Sequence, residues 1–478
     1  MCDVDKVRTA LQTRLGSPGK WELLFHKDGH LIQGLAHRLG NGQSHPNPYA
    51  QKAGLIGKPA SAYLRDGETM PALADADVSR VFEELGFSGM LPHFYLAGEP
   101  SHFRLNPACA TAGILVAGGN SAGLNTVVDS IVKRWTGLAS EFGNDRALRP
   151  NLLGYIGGYD GLASGRHIPL TVEMTDAHAS DPCTFLKTLR GPRYDDKYSA
   201  AAQRTLHELA AAVERDSLDA LFVIGGNGTF SWAARLFETL EERQYPLALI
   251  GGPKTMDWDL SFADATFGFR TAVDHAVQCI RTAHWEAESQ NRIAVVELFG
   301  AGSGFVALHA GFLSGVADVI LIPELPHPEE AVFRHLHRRL DKRDHAVLVL
   351  AEGALEEFRH GNRAVKARAF ASFLERLKQR FPERDFVDIR PRYLIRGTEP
   401  NSFDLDLAKY TGYLMADAAL SGYTNCSVQM WQGNYVLVPL PTAVARLGQV
   451  PLWMPYFWYM AQRYLLPEVS GDRIAVPA

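Results

Sequence analysis

The chain has 478 residues, 46% hydrophobic and 21% charged, with a formal net charge of -5. That length is too great for one small core and suits two or three domains. Slight acidity, with no basic block and no RNA-binding motif, excludes a general nucleic-acid binder. Five cysteines, Cys2, Cys109, Cys183, Cys279 and Cys426, are scattered and form no C-x-x-C pair. They suggest neither a zinc ribbon nor a disulfide framework and fit a reducing compartment. The N-terminus opens with charges, unlike a secretory signal, and no apolar run is long enough to span a bilayer. The expectation is a soluble cytoplasmic protein without membrane or nucleic-acid partners.

Residues 1–107 carry loop-like stretches such as "GNGQSHPNPYAQK" and short periodic runs such as "DVSRVFEELGF". They read as an accessory N-terminal region. From Ala110 the rhythm changes. "TAGILVAGG" is a buried strand closed by glycines, and "LNTVVDSIVKRW" is an amphipathic helix with Val127, Ile131 and Val132 on one face. "NLLGYIGGYDGL" is a second strand with a glycine loop. "AAQRTLHELAAAVERDSLDALFVIGGNGTF" reads as helix, turn, strand and glycine loop, and "YPLALIGGPKTMDWDL" repeats the theme. Strands alternating with helices predict an α/β fold with a mainly parallel sheet. A second α/β block follows, with strands in "NRIAVVELFG", "VADVILIPEL" and "HAVLVLAEGA". Its helices, "PEEAVFRHLHRRLDKRD" and "KARAFASFLERLKQRF", have charged outer faces that read as solvated surface. Within them "HLHRRLDKRDH" is rich in histidine, but its spacing matches no metal site and no carboxylate or cysteine set completes one, so it reads as structural surface. The aromatic "PLWMPYFWYMAQRYLL" predicts a final helix packed on the protein's core or at a subunit interface.

Three glycine loops lie at strand ends, where α/β sheets bind ligands. In "AGGNSAGLN", "GGNGTF" and "GGPKTMDWD" the glycines let backbone approach an anion, and the following helix offers free N–H groups. Singly each is as well explained by tight packing or turn capping. Together they point to a polyphosphate site, with Lys254 as a cation and Asp257 and Asp259 as a possible base and a metal-binding or orienting carboxylate.

In order along the chain, these loops resemble those of the phosphofructokinase family. "GGNSAGLN" is similar to the family's first loop, "GGNGT" (Gly225–Thr229) to its "GGDG[ST]", and "PKTMDWD" (Pro253–Asp259) to its "PKTIDND". "TFGFRTA", "FGAGSGF", "AEG" at 351–353, "RYLIRGTEPNSFD" and "SGYTN" resemble later family motifs. The lysine of "PKT" and the "YLIR" segment look most like the plant and kinetoplastid-type branch, which also carries an N-terminal extension. The resemblance implies two three-layer α/β domains with the active site in the cleft between them. A donor domain would hold 108–268 and return around 396–450, an acceptor domain 269–395, and a closing C-terminal helix 451–478.

The resemblance also implies roles. Asp257 would be the base that takes the proton from the attacking sugar hydroxyl, with Asp259 and Thr255 lining the same site. Gly119, Arg190, Gly226, Asn227, Gly228, Thr229 and Lys254 would surround the phosphoryl donor. Arg292, Phe299, Gly300, Glu352, Tyr393 and Arg396 would surround the sugar phosphate. In the family the arginine at the place of Arg292 reaches across a subunit boundary, which implies a homodimer or homotetramer. Glycine at 228, where pyrophosphate enzymes carry aspartate, leaves room for ATP, with pyrophosphate the second possibility; fructose 6-phosphate is the implied acceptor and Mg2+ the implied ion. The chain departs from the pattern in places. Asn227 stands where an aspartate helps hold magnesium, Ala301 replaces the arginine of "MGR", and Trp258 replaces the asparagine of "DND". Ser121, Ala122, Arg270 and Thr398 are also unusual. These departures leave a second possibility open: another sugar phosphate or metabolite as acceptor, or a weakly active sugar-phosphate-binding protein.

Overall fold

The structure, a computed structural model, describes residues 2–16, 19–39, 44–47, 67–142, 151–189 and 199–462. Arg190, most of the loop-like stretch 40–52 and the tail from 463 onward lie outside the described residues.

Among the described residues, thirteen strands build the two larger sheets. They are β1 (Thr69–Pro71), β2 (His93–Leu96), β3 (Thr111–Val116), β4 (Asn151–Tyr155), β5 (His167–Pro169), β6 (Ala220–Gly225), β7 (Ala248–Pro253), β8 (Ile293–Leu298), β9 (Val319–Leu321), β10 (Ala346–Ala351), β11 (Phe386–Ile389), β12 (Cys426–Trp431) and β13 (Asn434–Pro439). The larger sheet has the order β1-β2-β13-β12-β7-β6-β3-β4-β5. Its five central strands, β12 through β4, are parallel, and antiparallel strands flank them. The smaller sheet, β9-β10-β8-β11, is wholly parallel.

Sequence explains these choices. β6, β7, β8 and β10 are buried along their whole length. Such buried runs, apolar but for Glu297 in β8, suit a parallel sheet covered on both faces. On one face of the large sheet Leu206, Leu209, Leu236 and Leu240 from helices Ala200–Arg215 and Asn227–Glu242 pack with Leu221 and Val223. On the other, helices Leu124–Phe142 and Ser402–Leu420 bring Ile131, Trp135 and Met415 onto Ile114 and Phe222. Trp135 meets Phe222 edge to face at 5.8 Å. Each side chain of this size stabilises by about 1.5–3 kcal/mol when taken fully from water. The small sheet is likewise sandwiched, by helices Phe269–Ser289 and Phe305–Ser314 on one side and Glu329–Leu340 and Arg363–Arg380 on the other.

The halves are joined by a buried carboxylate. Asp404, near the start of helix Ser402–Leu420, accepts from the Thr271 N–H at 2.7 Å and the Thr271 Oγ1–H at 2.5 Å. Helix Phe269–Ser289 is thereby tied to the helix that returns the chain to the large sheet. The N-terminal stretch is not a separate appendage: β1 and β2 extend the large sheet, and Trp21, Phe82 and Phe94 share a core with Phe262 and Trp431. The aromatic segment near the C-terminus forms helix Pro455–Gln462, whose Phe457 and Met460 join the core of the smaller half. No helix among the described residues is long and apolar enough to cross a membrane.

Candidate active site

The carboxyl ends of β3, β6 and β7 open onto a cavity of about 480 Å³. The first loop supplies Gly118, Gly119, Asn120 and Ser121, the second Gly226 through Thr229, and the third Lys254 through Asp257 with Asp259. Arg396 reaches in from the far side. The three loops singled out in the sequence therefore share one cavity.

Local geometry explains the glycines. Gly118 has φ +99, and a Cβ there would lie 3.1 Å from the Lys254 ammonium. Gly226 precedes helix Asn227–Glu242 without a side-chain cap. The N–H groups of that helix's first turn thus lack intrahelical and capping partners, an arrangement that favours anions. Gly228 is open: an added Cβ would meet nothing within 4 Å. Thr229 turns inward instead, its Oγ1–H donating to the Ala117 carbonyl at 3.3 Å. Lys254 is only 6% exposed, and its Nζ donates to the Gly119 carbonyl at 2.8 Å, holding the first and third loops together.

Asp257 lies at the floor. Its backbone N–H donates to Thr255 Oγ1 at 3.1 Å, and its carbonyl accepts from Ser303 Oγ–H at 2.9 Å. The Thr255 hydroxyl in turn donates to Asp259 Oδ1 at 2.7 Å. The Asp257 residue is half-buried, but its Oδ1 is closed off from solvent and has no hydrogen-bond partner among the described residues. Burial, then the Asp259 and Glu352 carboxylates, push the Asp257 carboxyl up to about 7, against the opposing pull of Arg396 and Lys254. This is the ordinary physics of a desolvated acid among like charges.

Asp257 and Asp259 also face a second cavity, of about 330 Å³, lined by Ala301, Gly302, Ser303, Phe358, Arg359, Lys366 and Leu447. The two carboxylates stand between the cavities. On the side of the smaller sheet, Glu352 is the first residue after β10, and Gly353 donates its N–H to the Gly300 carbonyl at 3.0 Å. A Cβ on Gly353 would lie 2.1 Å from the Ala301 carbonyl oxygen, so only glycine permits that approach. The Arg396 guanidinium stacks 4.0 Å above the Phe299 ring. Arg392 donates to the buried Glu297 carboxylate at 2.5 Å.

Of the six residues expected beside the sugar phosphate, Arg396 alone lines a cavity; Phe299, Gly300 and Glu352 line neither, and Tyr393 and Arg292 stand farther off. Tyr393 is 83% exposed. Arg292 precedes β8, while Phe299 follows it, so the six-residue strand, about 20 Å long, separates them. There Arg292 pairs with Glu286 at 3.1 Å. Within one chain Arg292 cannot reach Asp257.

Trp258 does not face the main cavity. With φ +53 it turns away, packs against Phe269 (4.9 Å) and Phe305 (4.7 Å), and donates its indole N–H to the Ala263 carbonyl at 2.7 Å. The unusual residue is thus a piece of the core. Asn120 and Trp232 line the main cavity, and Arg359 and Lys366 the second, none of them singled out from sequence. Asn120 stood inside a quoted glycine loop. Lys366 lies about a hundred residues from the aspartates and becomes a neighbour only through the fold.

Comparison with known proteins gives a consistent result. The phosphofructokinase family model matches residues 111–419. An ATP-dependent 6-phosphofructokinase of Trypanosoma brucei brucei is 33% identical over 369 residues, 73% of this chain and 72% of that protein. ATP-dependent 6-phosphofructokinase 1 of Arabidopsis thaliana is 31% identical over 378 residues, 75% of this chain and 76% of that protein. The crystal structure of a pyrophosphate-dependent phosphofructokinase from Marinobacter aquaeolei superimposes with a TM-score of 0.61 at 19% identity, covering 74% of this chain and 91% of that one. That likeness carries the fold. Fold, loop order and family match agree: the chain belongs to the phosphofructokinase family and is a sugar-phosphate kinase of that type.

Proposed function

We propose that the chain transfers the terminal phosphoryl group of ATP to the 1-hydroxyl of fructose 6-phosphate, with Asp257 as general base. The observation that carries this reading is the position and protonation of Asp257. It lies between two cavities, and its carboxyl is raised to about 7, close to the operating pH that suits a general base.

The main cavity takes the donor. First-turn N–H groups at Asn227–Thr229 and the Lys254 ammonium offset phosphate charge. The space beside Gly228 leaves the nucleotide unobstructed, which supports ATP over pyrophosphate. Asn227 and Asp259 bring oxygen donors to the same cavity and would hold the implied Mg2+, a hard cation that takes oxygen ligands. When bound, that ion supplies neutralising charge at the phosphates. Arg396, flattened on Phe299, offers a guanidinium fork for the 6-phosphate, and Glu352 an acceptor for sugar hydroxyls. Asp257 holds the attacking hydroxyl and takes its proton, while Thr255 fixes Asp259 beside it. Phosphoryl transfer needs positioning and charge neutralisation more than covalent help, and these groups supply both. Arg292 would complete the site from a partner copy in a homodimer or homotetramer.

A second reading keeps the chemistry and changes the acceptor. The second cavity favours it: Ala301 brings no charge there, and the cations are Arg359 and Lys366. An acceptor with an extra anionic group would suit that pair. Steady-state ADP release with fructose 6-phosphate and a panel of other sugar phosphates separates the two. Saturation by fructose 6-phosphate at the highest kcat/KM supports the first reading. A sugar phosphate carrying a second anionic group and outperforming it supports the second.

A further inference from the structure

The acceptor half holds a side-chain cluster far from the active site. His284 and Glu288 lie one turn apart on helix Phe269–Ser289, and His345 immediately precedes β10. The imidazole centroids are 5.0 Å apart, and His284 Nε2 is 3.8 Å from Glu288 Oε2. One ligand atom from each residue lies within 4.8 Å of the others. Both histidines are buried, 9% exposed for His284 and 6% for His345. His284 Nδ1 and His345 Nε2 have no hydrogen-bond partner among the described residues. Buried imidazole nitrogens normally find a partner, and leaving one on each ring without any is costly.

From this geometry we infer a zinc site formed by His284, Glu288 and His345. Two imidazoles and a carboxylate suit Zn2+ or a neighbouring transition ion and do not suit Mg2+ or Ca2+, which take oxygen. Zinc with bond lengths of about 2.1 Å needs tetrahedral ligands about 3.4 Å apart. The present spacing, within 4.8 Å, closes to that by rotation of the three side chains, most freely of Glu288, which is 48% exposed. Water takes the fourth position.

The site is distinct from the kinase centre. His345 lies at the amino edge of the small sheet and Glu352 at the carboxyl edge, with six-residue β10, about 20 Å, between them. The ion would fasten the last turn of a long helix to the start of β10. It escapes a sequence search because the histidine-rich stretch at 335–345 contributes only its final residue. The other two ligands come from a helix more than fifty positions earlier.

The test is equilibrium dialysis of the chelator-treated full chain against Zn2+, in buffer holding excess Mg2+ to occupy oxygen-rich sites. Bound zinc is read by atomic emission. The wild type is expected to retain a single tight equivalent. Glu288→Gln and His345→Gln should weaken it about 10- to 100-fold or more, the loss typical even of supporting residues around a metal. Glu288→Gln alters an exposed side chain and should fold normally, so misfolding of the histidine variant does not remove the test. A double change of the neighbouring His335 and His337 to Ala, and Asp257→Asn, should leave the equivalent in place. Absence of tight zinc in the wild type overturns the site, as does zinc retained in both ligand variants or lost in Asp257→Asn.

Discussion

Replacing Asp257 by Asn should abolish activity and stabilise the protein, and the two effects share one cause. The carboxyl is raised from an ordinary 3.8 to about 7, chiefly by burial. A folded-state value above the unfolded one means that folding penalises the charged form. That penalty is absent below about pH 4, grows as pH rises, and is complete above pH 7. At 1.36 kcal/mol per pKa unit it amounts to about 4 kcal/mol at pH 8. Asparagine keeps the shape, carries no charge, and can donate toward Asp259 and Glu352. Asp257→Asn is therefore expected to be more stable than the wild type by about 2–4 kcal/mol at pH 8 and by about half that at pH 5.5. Thermal and urea unfolding of both proteins, without substrate, at both pH values gives the comparison. Turnover with ATP and fructose 6-phosphate should fall by about 100-fold or more, the scale of general-base catalysis. A variant no more stable than the wild type at pH 8, or an advantage that fails to shrink at lower pH, would refute the reasoning.

Other substitutions probe the remaining parts. Gly228→Asp places a carboxylate in open space beside the first turn of a helix. It should leave the melting temperature unchanged or slightly raised, because acidic residues suit a helix N-terminus, while raising the KM for ATP about tenfold or more by repulsion; an unchanged KM would place the nucleotide elsewhere. Asn227→Asp should lower the magnesium concentration needed for half-maximal rate, since a carboxylate is the better ligand for a hard cation. Unchanged magnesium titrations would mean that position 227 does not face the ion. Trp258→Ala should cost about 3 kcal/mol of stability in urea unfolding through loss of the ring contacts with Phe269 and Phe305. At saturating substrate its kcat should stay within a few-fold of wild type; a collapse of kcat in a protein that still melts cooperatively would place Trp258 in the chemistry.

Much of the architecture was legible because its strands are uniformly apolar. "ALFVIG" and "AVLVLA" have no polar residue to place on a wet face, and both are buried throughout. The glycine loops were legible because a strand running into glycines and then a helix has few structural meanings, and all three open onto one cavity. The N-terminal stretch was opaque because β1 and β2 are three and four residues long, too short to show alternation. Trp258 looked like a substitution inside the site because sequence gives position along a loop and not the direction of a side chain. A positive φ turns it into the core. Arg359 and Lys366 were invisible for another reason. A charged residue on a helix reads as solvated surface unless the fold brings a cavity to it.

The central claim is that this site makes a sugar bisphosphate from ATP. Phosphorus NMR of the purified protein with magnesium and fructose 6-phosphate, run in parallel with ATP and with pyrophosphate, tests it most directly. The account predicts a new sugar bisphosphate resonance and growing ADP signals in the ATP sample, with the Asp257→Asn protein silent. A new resonance only in the pyrophosphate sample, or none in either from protein that binds ATP, would contradict it.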